Sequence, residues 1–343
     1  MWIEQQQRNR NLLKWVSLAA LLLAAAIWPW WVDDRFLLNV MINVLLYMVL
    51  GMGMHLIFGT AGLPFLGYAG FYGIGAYTAA LLMTRGVSFW AALPASVAAV
   101  CLVALLFGAP ILRLRGEYFM LGSLALGEII HLTINNLDIT GGPNGIVGIP
   151  KPRWFGGTLS QPADFYYLLL VVVLVSIALL TYLQKSTVGR SWLALREDEL
   201  AAEAVGVPTY RRKLQLFVLG SAWAGVAGAF LAARMGIVTP GSFTLMNSVQ
   251  MIGIIIVGGM GSLPGVVLGT VLMIGLPEFV RALADWRLVI FGVAIMAVLR
   301  FRPRGIWPTK PWIVPLPATI PGSERATDPA AVEGQGGVRT RGY

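Results

Sequence analysis

Residues 186–213, "STVGRSWLALREDELAAEAVGVPTYRRK", form a charged island between two long apolar segments. Counted with Lys185 before it, the island carries six positive charges (Lys185, Arg190, Arg196, Arg211, Arg212, Lys213) against four negative ones (Glu197, Asp198, Glu199, Glu203). So even a balance makes it more than a basic topology signal. Its core, "DELAAEAV", is built from good helix formers, and Gly206 and Pro208 then supply a stop, so a short helix is predicted. Trp192, Leu195, Leu200 and Val205 would be poorly solvated on a free loop. Either the neighbouring helix ends or a soluble partner covers them, although a solvated loop is the commoner fate of such a segment.

Around this island the chain is overwhelmingly apolar: of 343 residues, 57% are hydrophobic and 12% charged, against about 25% charged in soluble domains. Apolar runs near the roughly 20 residues a helix needs to cross a bilayer lie at 12–32, 36–58, 63–83, 89–112, 118–134, 165–184, 214–233, 248–257, 266–280 and 288–299. They predict one all-α polytopic domain over residues 1–307 with ten transmembrane helices, or nine if the last break is not a break. That break is "IVGGMGSLPGVVLG" (256–269), where Gly258, Gly259, Gly261, Pro264 and Gly265 interrupt an apolar stretch. Such interruptions are tolerated where the freed backbone is buried in protein or lines a cavity.

The net charge of +9 sits at the edges of apolar runs and reads as topology, not as a nucleic-acid surface. With the N-terminus inside, Asp33 and Asp34 fall outside, Arg113 and Arg115 inside, 137–164 outside and 185–213 inside. A turn at residues 261–265 brings Arg300, Arg302 and Arg304 inside as well, whereas a continuous helix would strand them outside. Ten helices with both termini cytoplasmic follow. At the start, Arg8, Arg10 and Lys14 followed by Ala24, Ala25 and Ala26 resemble a signal peptide, while Trp28, Trp30 and Trp31 resemble the interfacial anchors of a retained first helix. Residues 308–343 read as a flexible cytoplasmic tail.

Several chemistries find no support. One cysteine, Cys101, forbids an intrachain disulfide, and His55 and His131 lack a ligand pattern, so neither a metal site nor a catalytic residue is assigned. No phosphate loop is present, nor even a Gly-Lys pair. Glu128 is the clearest intramembrane acid, and such a residue costs about 2.5–3.5 kcal/mol to insert. A secondary transporter would need paired intramembrane charges and inverted repeats. One isolated acid makes a docked subunit the better energy source.

Five stretches carry a resemblance: "GRSWLALREDELAAEAVGV" (189–207), "GLPFLGYAGFYGIGAY" (62–77), "LRGEYFMLGSLALGEI" (114–129), "ITGGPNGIVGIPKP" (139–152) and "VGGMGSLPGVVLG" (257–269). With "RFRPRGI" they cover about residues 43–306. In this order they resemble the LivM-type inner-membrane permeases of branched-chain amino-acid ABC importers, type II-like in fold. The tail after Pro308 is longer and richer in proline than that pattern.

The resemblance implies a non-enzymatic subunit of the bacterial inner membrane. It would pair with a second homologous permease, two ATP-binding subunits that hold ATP and Mg, and a periplasmic amino-acid-binding protein, with no cofactor of its own. The island 185–213 becomes the ATPase-docking element, through Gly189, Arg190, Trp192, Leu195, Arg196, Glu197, Asp198, Glu199, Ala202 and Gly206. Arg196 and the run 197–199 would pair with ATPase charges, while Trp192 and Leu195 fill its groove. Permeases of urea and short-chain amide importers are similar and stay open as an alternative.

Three further groups of residues are candidates beside ordinary structural readings. Thr140, Gly141, Gly142, Pro143, Asn144 and Gly145 make either a tight outer turn or a dock for the binding protein. Gly67, Gly70, Gly73 and Gly75, with Tyr68 and Phe71, either permit close helix packing or line the pathway as a broken helix, as do Gly258, Gly259 and Gly261. Glu128 either meets a structural partner such as His131 or serves as a gate.

Overall fold

The computed structural model describes residues 34–279 apart from 115, 155, 156 and 160, together with residues 289, 292, 293, 296, 300–302 and 305–307. The expected first helix at 12–32, most of the expected last one at 288–299, Asp33, Arg115, Arg304 and the tail lie outside the described residues. The chain is an all-α polytopic membrane protein, and a helix stands at each of the eight other expected spans.

Asp34 starts α1 (Arg35–Met54) by accepting from the Phe36 amide, and the helix runs on as a π-helix (His55–Thr60). α2 (Tyr68–Thr84), α3 (Phe89–Ile111) and α4 (Glu117–Asn136) follow. A connection with three short strands, β1 (Ile146–Val147), β2 (Arg153–Trp154) and β3 (Gly157–Thr158), leads to α5 (Pro162–Lys185), which opens on a Gln161/Asp164 capping box with Pro162 in its first turn. The charged island forms α6 (Thr187–Glu197) and α7 (Glu199–Ala204). Then come α8 (Thr209–Met235), β4 (Ile237–Val238), α9 (Leu245–Gly258), α10 (Leu263–Thr270), a second π-helix (Val271–Gly275) and α11 (Leu276–Phe279). β1 pairs antiparallel with β4, Ile146 opposite Val238, and β2 with β3.

Contacts between helix ends fix the up-down order. At one end Tyr210 donates to the Ala109 carbonyl at 2.9 Å and Arg196 to the Gly59 carbonyl at 2.9 Å, joining the starts and stops of α8, α3, α6 and α1. At the other, Trp90 Nε1 donates to the Arg153 carbonyl at 2.9 Å, and Arg234 donates to Asn43 and Asn39. The first may be called the island end and the second the strand end. α1 is the central helix: 83% of its span is buried, against 28% for α3, whose outer face carries the exposed Leu102, Leu105 and Leu106.

α8 packs against α2 with almost no side chain between them. A Cβ on Gly75 would lie 2.7 Å from the Gly225 Cα, and one on Gly228 would lie 2.5 Å from the Ala76 nitrogen. In a bilayer, where lipid tails are as apolar as leucine, such close van der Waals approach is what holds helices together.

The expected span at 63–83 is helical only from Tyr68, because residues 62–67 leave the helix. The Tyr68 hydroxyl donates to the carbonyls of Leu50 and Gly220, midway along α1 and α8, so α2 begins inside the bundle. The freed backbone is satisfied by side chains: Ser123 Oγ accepts from the Leu66 amide at 3.1 Å and Ser248 Oγ from the Ala69 amide at 2.9 Å. The later turn occupies 259–262 and not 261–265, since Ser262 accepts from the Gly265 amide and restarts the helix with Pro264 in its first turn. The amides of Ile306 and Trp307 donate to the carbonyls of Val257 and Gly258, which brings residues 306 and 307 to this turn.

Ser248→Ala strands a buried amide at the start of α2, at a cost of about 1–3 kcal/mol. A lowered melting temperature in detergent, with Gly241→Ala unchanged because nothing lies within 4 Å of a Cβ there, is the expected result.

Candidate functional site

Two helices, not one, form from the charged island. Asp198 leaves helical geometry (φ −159°, ψ 113°) and its side chain accepts from the amides of Leu200 and Ala201, so it ends α6 and caps α7. A short acid that can bond the next amides competes with helix continuation, which confines "DELAAEAV" to a six-residue helix. Ser186 caps α6 by accepting from the Gly189 amide at 3.1 Å. Gly189 is itself buried, and a Cβ there would lie 2.6 Å from the Gln184 Cα.

The apolar residues of the island divide into two sets. Trp192 is fully buried and Leu195 is 5% exposed within the chain's own core, so neither can fill a partner's groove, and Ala202 is buried as well. Leu200 and Val205, by contrast, are 67% and 80% exposed, with Leu193 exposed beside them. The charges divide likewise. Arg196 donates to the Gly59 carbonyl, and Glu199 forms an ion pair with Lys213 at 2.5 Å that ties α7 to α8. Both thus have partners within the chain. Arg190, Glu197, Asp198, Glu203 and Gly206 remain exposed. The exposed residues of α6–α7 thus include three apolar side chains, Leu193, Leu200 and Val205, among charges that are mostly acidic.

The π-helix links this face to the bundle. Arg196 reaches Gly59 inside it, and Gln184 at the end of α5 lies 2.9 Å from His55 Nε2 at its start. π-helical segments recur at functional sites. The stretch that follows it is the non-helical 62–67, and then α2 begins beside a cleft.

That cleft is lined by Leu66, Ala69, Gly70, Glu128, Phe243 and Ser248 among others, and its free volume is about 10 Å³, room for about one water. The cleft is too small for a larger ligand in this conformation. Of the ten expected pathway residues only Gly70 and Glu128 line it. Tyr68 and Phe71 are buried, Phe71 in an aromatic cluster with Phe65 and Phe217. The glycines pack: Gly67 against Gly127, Gly73 against Phe243, Gly75 against Gly225 and Gly258 against Val266. Gly259 and Gly261 make the turn that separates α9 from α10. Glu128 is exposed, with no ion-pair partner among the described residues. It shares a face of α4 with the exposed Leu121 and Leu132, spaced as helical neighbours.

At the strand end, Thr140 is buried and its hydroxyl donates to the carbonyls of Ile134 and Leu137, closing the end of α4. Gly145 (φ 71°) allows the chain to pass against Val238 of β4. Gly141, Pro143 and Asn144 are exposed, with Ile139 and Val147 exposed on either side. Sequence reading missed Ser123 and Ser248, and it counted Lys213 only as one of the island's charges. The serines carry no local signal, because their partners are 57 and 179 residues away.

Comparison with known proteins agrees with this architecture. The model of the family described as "Branched-chain amino acid transport system / permease component" matches residues 36–299. The permease protein LivM of the high-affinity branched-chain amino acid transport system of Escherichia coli is 38% identical, over 86% of this chain and 75% of its own length. Its counterpart in Salmonella typhimurium is 39% identical over the same shares. The permease protein LivH of the Escherichia coli system is 25% identical, over 76% of this chain and 90% of its own. No solved structure matches. On the extent of these matches, the chain belongs to the branched-chain amino acid transport system permease family.

Proposed function

We propose that the chain is the transmembrane permease subunit of an ATP-driven importer of leucine, isoleucine and valine. The observation that carries the mechanism is the α6–α7 face: Leu193, Leu200 and Val205 are exposed among Glu197 and Glu203, on helices locked to the bundle by Trp192, Arg196 and the Glu199–Lys213 pair. A rigid, unpartnered, mixed apolar and acidic knob suits transmission of force from a soluble subunit. In this reading two ATP-binding subunits hold ATP and Mg and dock here, and the island end is cytoplasmic, as are both termini, in the bacterial inner membrane. The branched-chain substrate class rests on the names of the relatives. The strand end, with Gly141, Pro143 and Asn144 exposed, receives a periplasmic binding protein.

The exposed face of α4 with Leu121, Glu128 and Leu132 belongs against a second, homologous permease, since a carboxylate there is costly against lipid. The pathway then runs between the two permeases, with Glu128 offering a carboxylate to the substrate ammonium. Motion of α6 would be relayed through Gly59 and the π-helix to residues 62–67 and so to the closed cleft. Alternating access follows from coupling one rigid knob to one broken backbone segment.

Four experiments test this. Uptake of labelled leucine in cells with and without the gene should fall on deletion, and isoleucine and valine should compete where glutamate and urea do not. Competition by urea alone would move the substrate class to the amide branch. Leu200→Glu and Val205→Glu should lower transport-coupled ATP hydrolysis about tenfold or more, as for loss of a buried interface anchor, without loss of folded permease. Trp192→Ala should instead lower thermal stability, by about 3–5 kcal/mol for a large buried ring. Glu128→Gln should reduce leucine uptake with assembly intact, and normal uptake would exclude a substrate contact.

A further inference from the structure

At the island end an open groove of about 610 Å³ runs between α3, α5, α6 and α8, within the roughly 300–1,000 Å³ of sites that take sizeable ligands. Its long walls are apolar, from Leu105 of α3, Leu183 of α5, and Val218 and Leu219 of α8. Its end is not. Trp192 and Arg212 line it there, and Trp192 Nε1 and Arg212 Nε are both buried without a hydrogen-bond partner among the described residues. Arg212 uses another nitrogen, Nη1, to donate to Gln215 at 3.1 Å. Native structures rarely leave buried donors idle, and each such orphan calls for an acceptor.

The groove has a direction. Val218 and Leu219 lie about 9–10 Å further along α8 than Arg212, at 1.5 Å rise per residue. Arg212 stands in the first turns of that helix and the apolar walls lie deeper. Leu105 adjoins the exposed Leu102 and Leu106 on α3, the least buried of the long spans, so the groove opens to the bilayer. Beside its polar end, Lys185 and Arg211 are exposed and adjoin Ser186 and Arg212 in the chain. An occupant must therefore be apolar over about ten ångströms, carry an acceptor with negative charge at one end, and arrive from the membrane.

We infer that this groove binds one anionic phospholipid, with an acyl chain along Leu105, Leu183, Val218 and Leu219 and its phosphate accepting from the Arg212 guanidinium. Basic pockets between transmembrane helices at the membrane surface bind such headgroups by this combination. Its placement in the cytoplasmic leaflet rests on the orientation proposed above; the site itself does not. Because Val188 and Trp192 of the groove belong to α6, the lipid braces the helix that carries the proposed docking face. Lipid composition would then tune coupling.

The test is to extract the full chain with whatever subunits accompany it and to identify retained lipid by native mass spectrometry and headgroup analysis. The wild type should keep about one phosphatidylglycerol or cardiolipin per chain. Arg212→Gln should lower that enrichment about tenfold, the order expected for a lost charge-assisted hydrogen bond. Val218→Trp, which fills the groove and leaves the cation, should do the same. Arg211→Gln should not. Wild-type protein should also melt at a higher temperature in phosphatidylglycerol nanodiscs than in phosphatidylcholine nanodiscs. Retained lipid that mirrors the bulk membrane, equal losses in Arg211→Gln and Arg212→Gln, or a photo-crosslinker at 219 that captures another subunit and no lipid would each overturn the proposal. None of these readouts depends on the transported substrate, so a failed leucine assay and a failed lipid assay are separate results.

Discussion

The arrangement depends on how a broken backbone finds hydrogen bonds where water is absent. Residues 62–67 leave the helix inside the bundle, and each amide freed there must be met by protein, because an unsatisfied polar group in hydrocarbon costs several kcal/mol. Ser123 from α4 meets the Leu66 amide there, Ser248 from α9 meets the Ala69 amide in the first turn of α2, and Tyr68 in turn satisfies carbonyls of α1 and α8. Four helices are thus tied to one irregular segment. The aromatic packing of Phe65 on Phe71 and Phe217 fills the space around it. A helix that starts in mid-bundle brings its first turn to the cleft with Glu128, and that would be impossible for a continuous span.

The island end shows how rigidity and availability are separated in one short segment. The residues that look most adhesive in sequence, Trp192, Leu195, Arg196 and Glu199, are consumed in fastening α6 and α7 to α5, α8 and the π-helix. What is left outside is modest: Leu193, Leu200, Val205 and a rim rich in acids. In the proposed docking role, a knob that transmits force has to be stiffer than the joint it drives. Buried anchors on its inner face and a few exposed side chains on its outer face provide that division.

Surfaces left apolar have different partners according to their polar residues. The outer face of α3 carries the apolar Leu102, Leu105, Leu106 and Phe107 and suits lipid tails. The face of α4 adds a carboxylate, which suits protein or a water-lined passage. The groove beside Trp192 and Arg212 adds buried donors at one end, which suits an amphiphile with a charged acceptor. Burial fractions by themselves do not distinguish these cases, whereas the chemistry at the edge of each surface does.

Much of this was legible in the sequence. Hydrophobic length and charge parity gave the spans and their alternation, because helix formation and membrane insertion are local properties of a 20-residue window. The motifs around Gly62, Thr140, Gly189 and Gly258 marked the segments that depart from plain helix. Side-chain destinations were not legible. Trp192 could face a partner or the core, and glycines such as Gly75 could line a passage or admit a neighbour. Only the fold, which sets Gly75 against Gly225 and Ser248 against Ala69 across 150 and 179 residues of chain, decides which. The physical reason is that the sequence sets what each segment prefers, while the partner of a buried group is chosen by contacts between segments far apart in the chain.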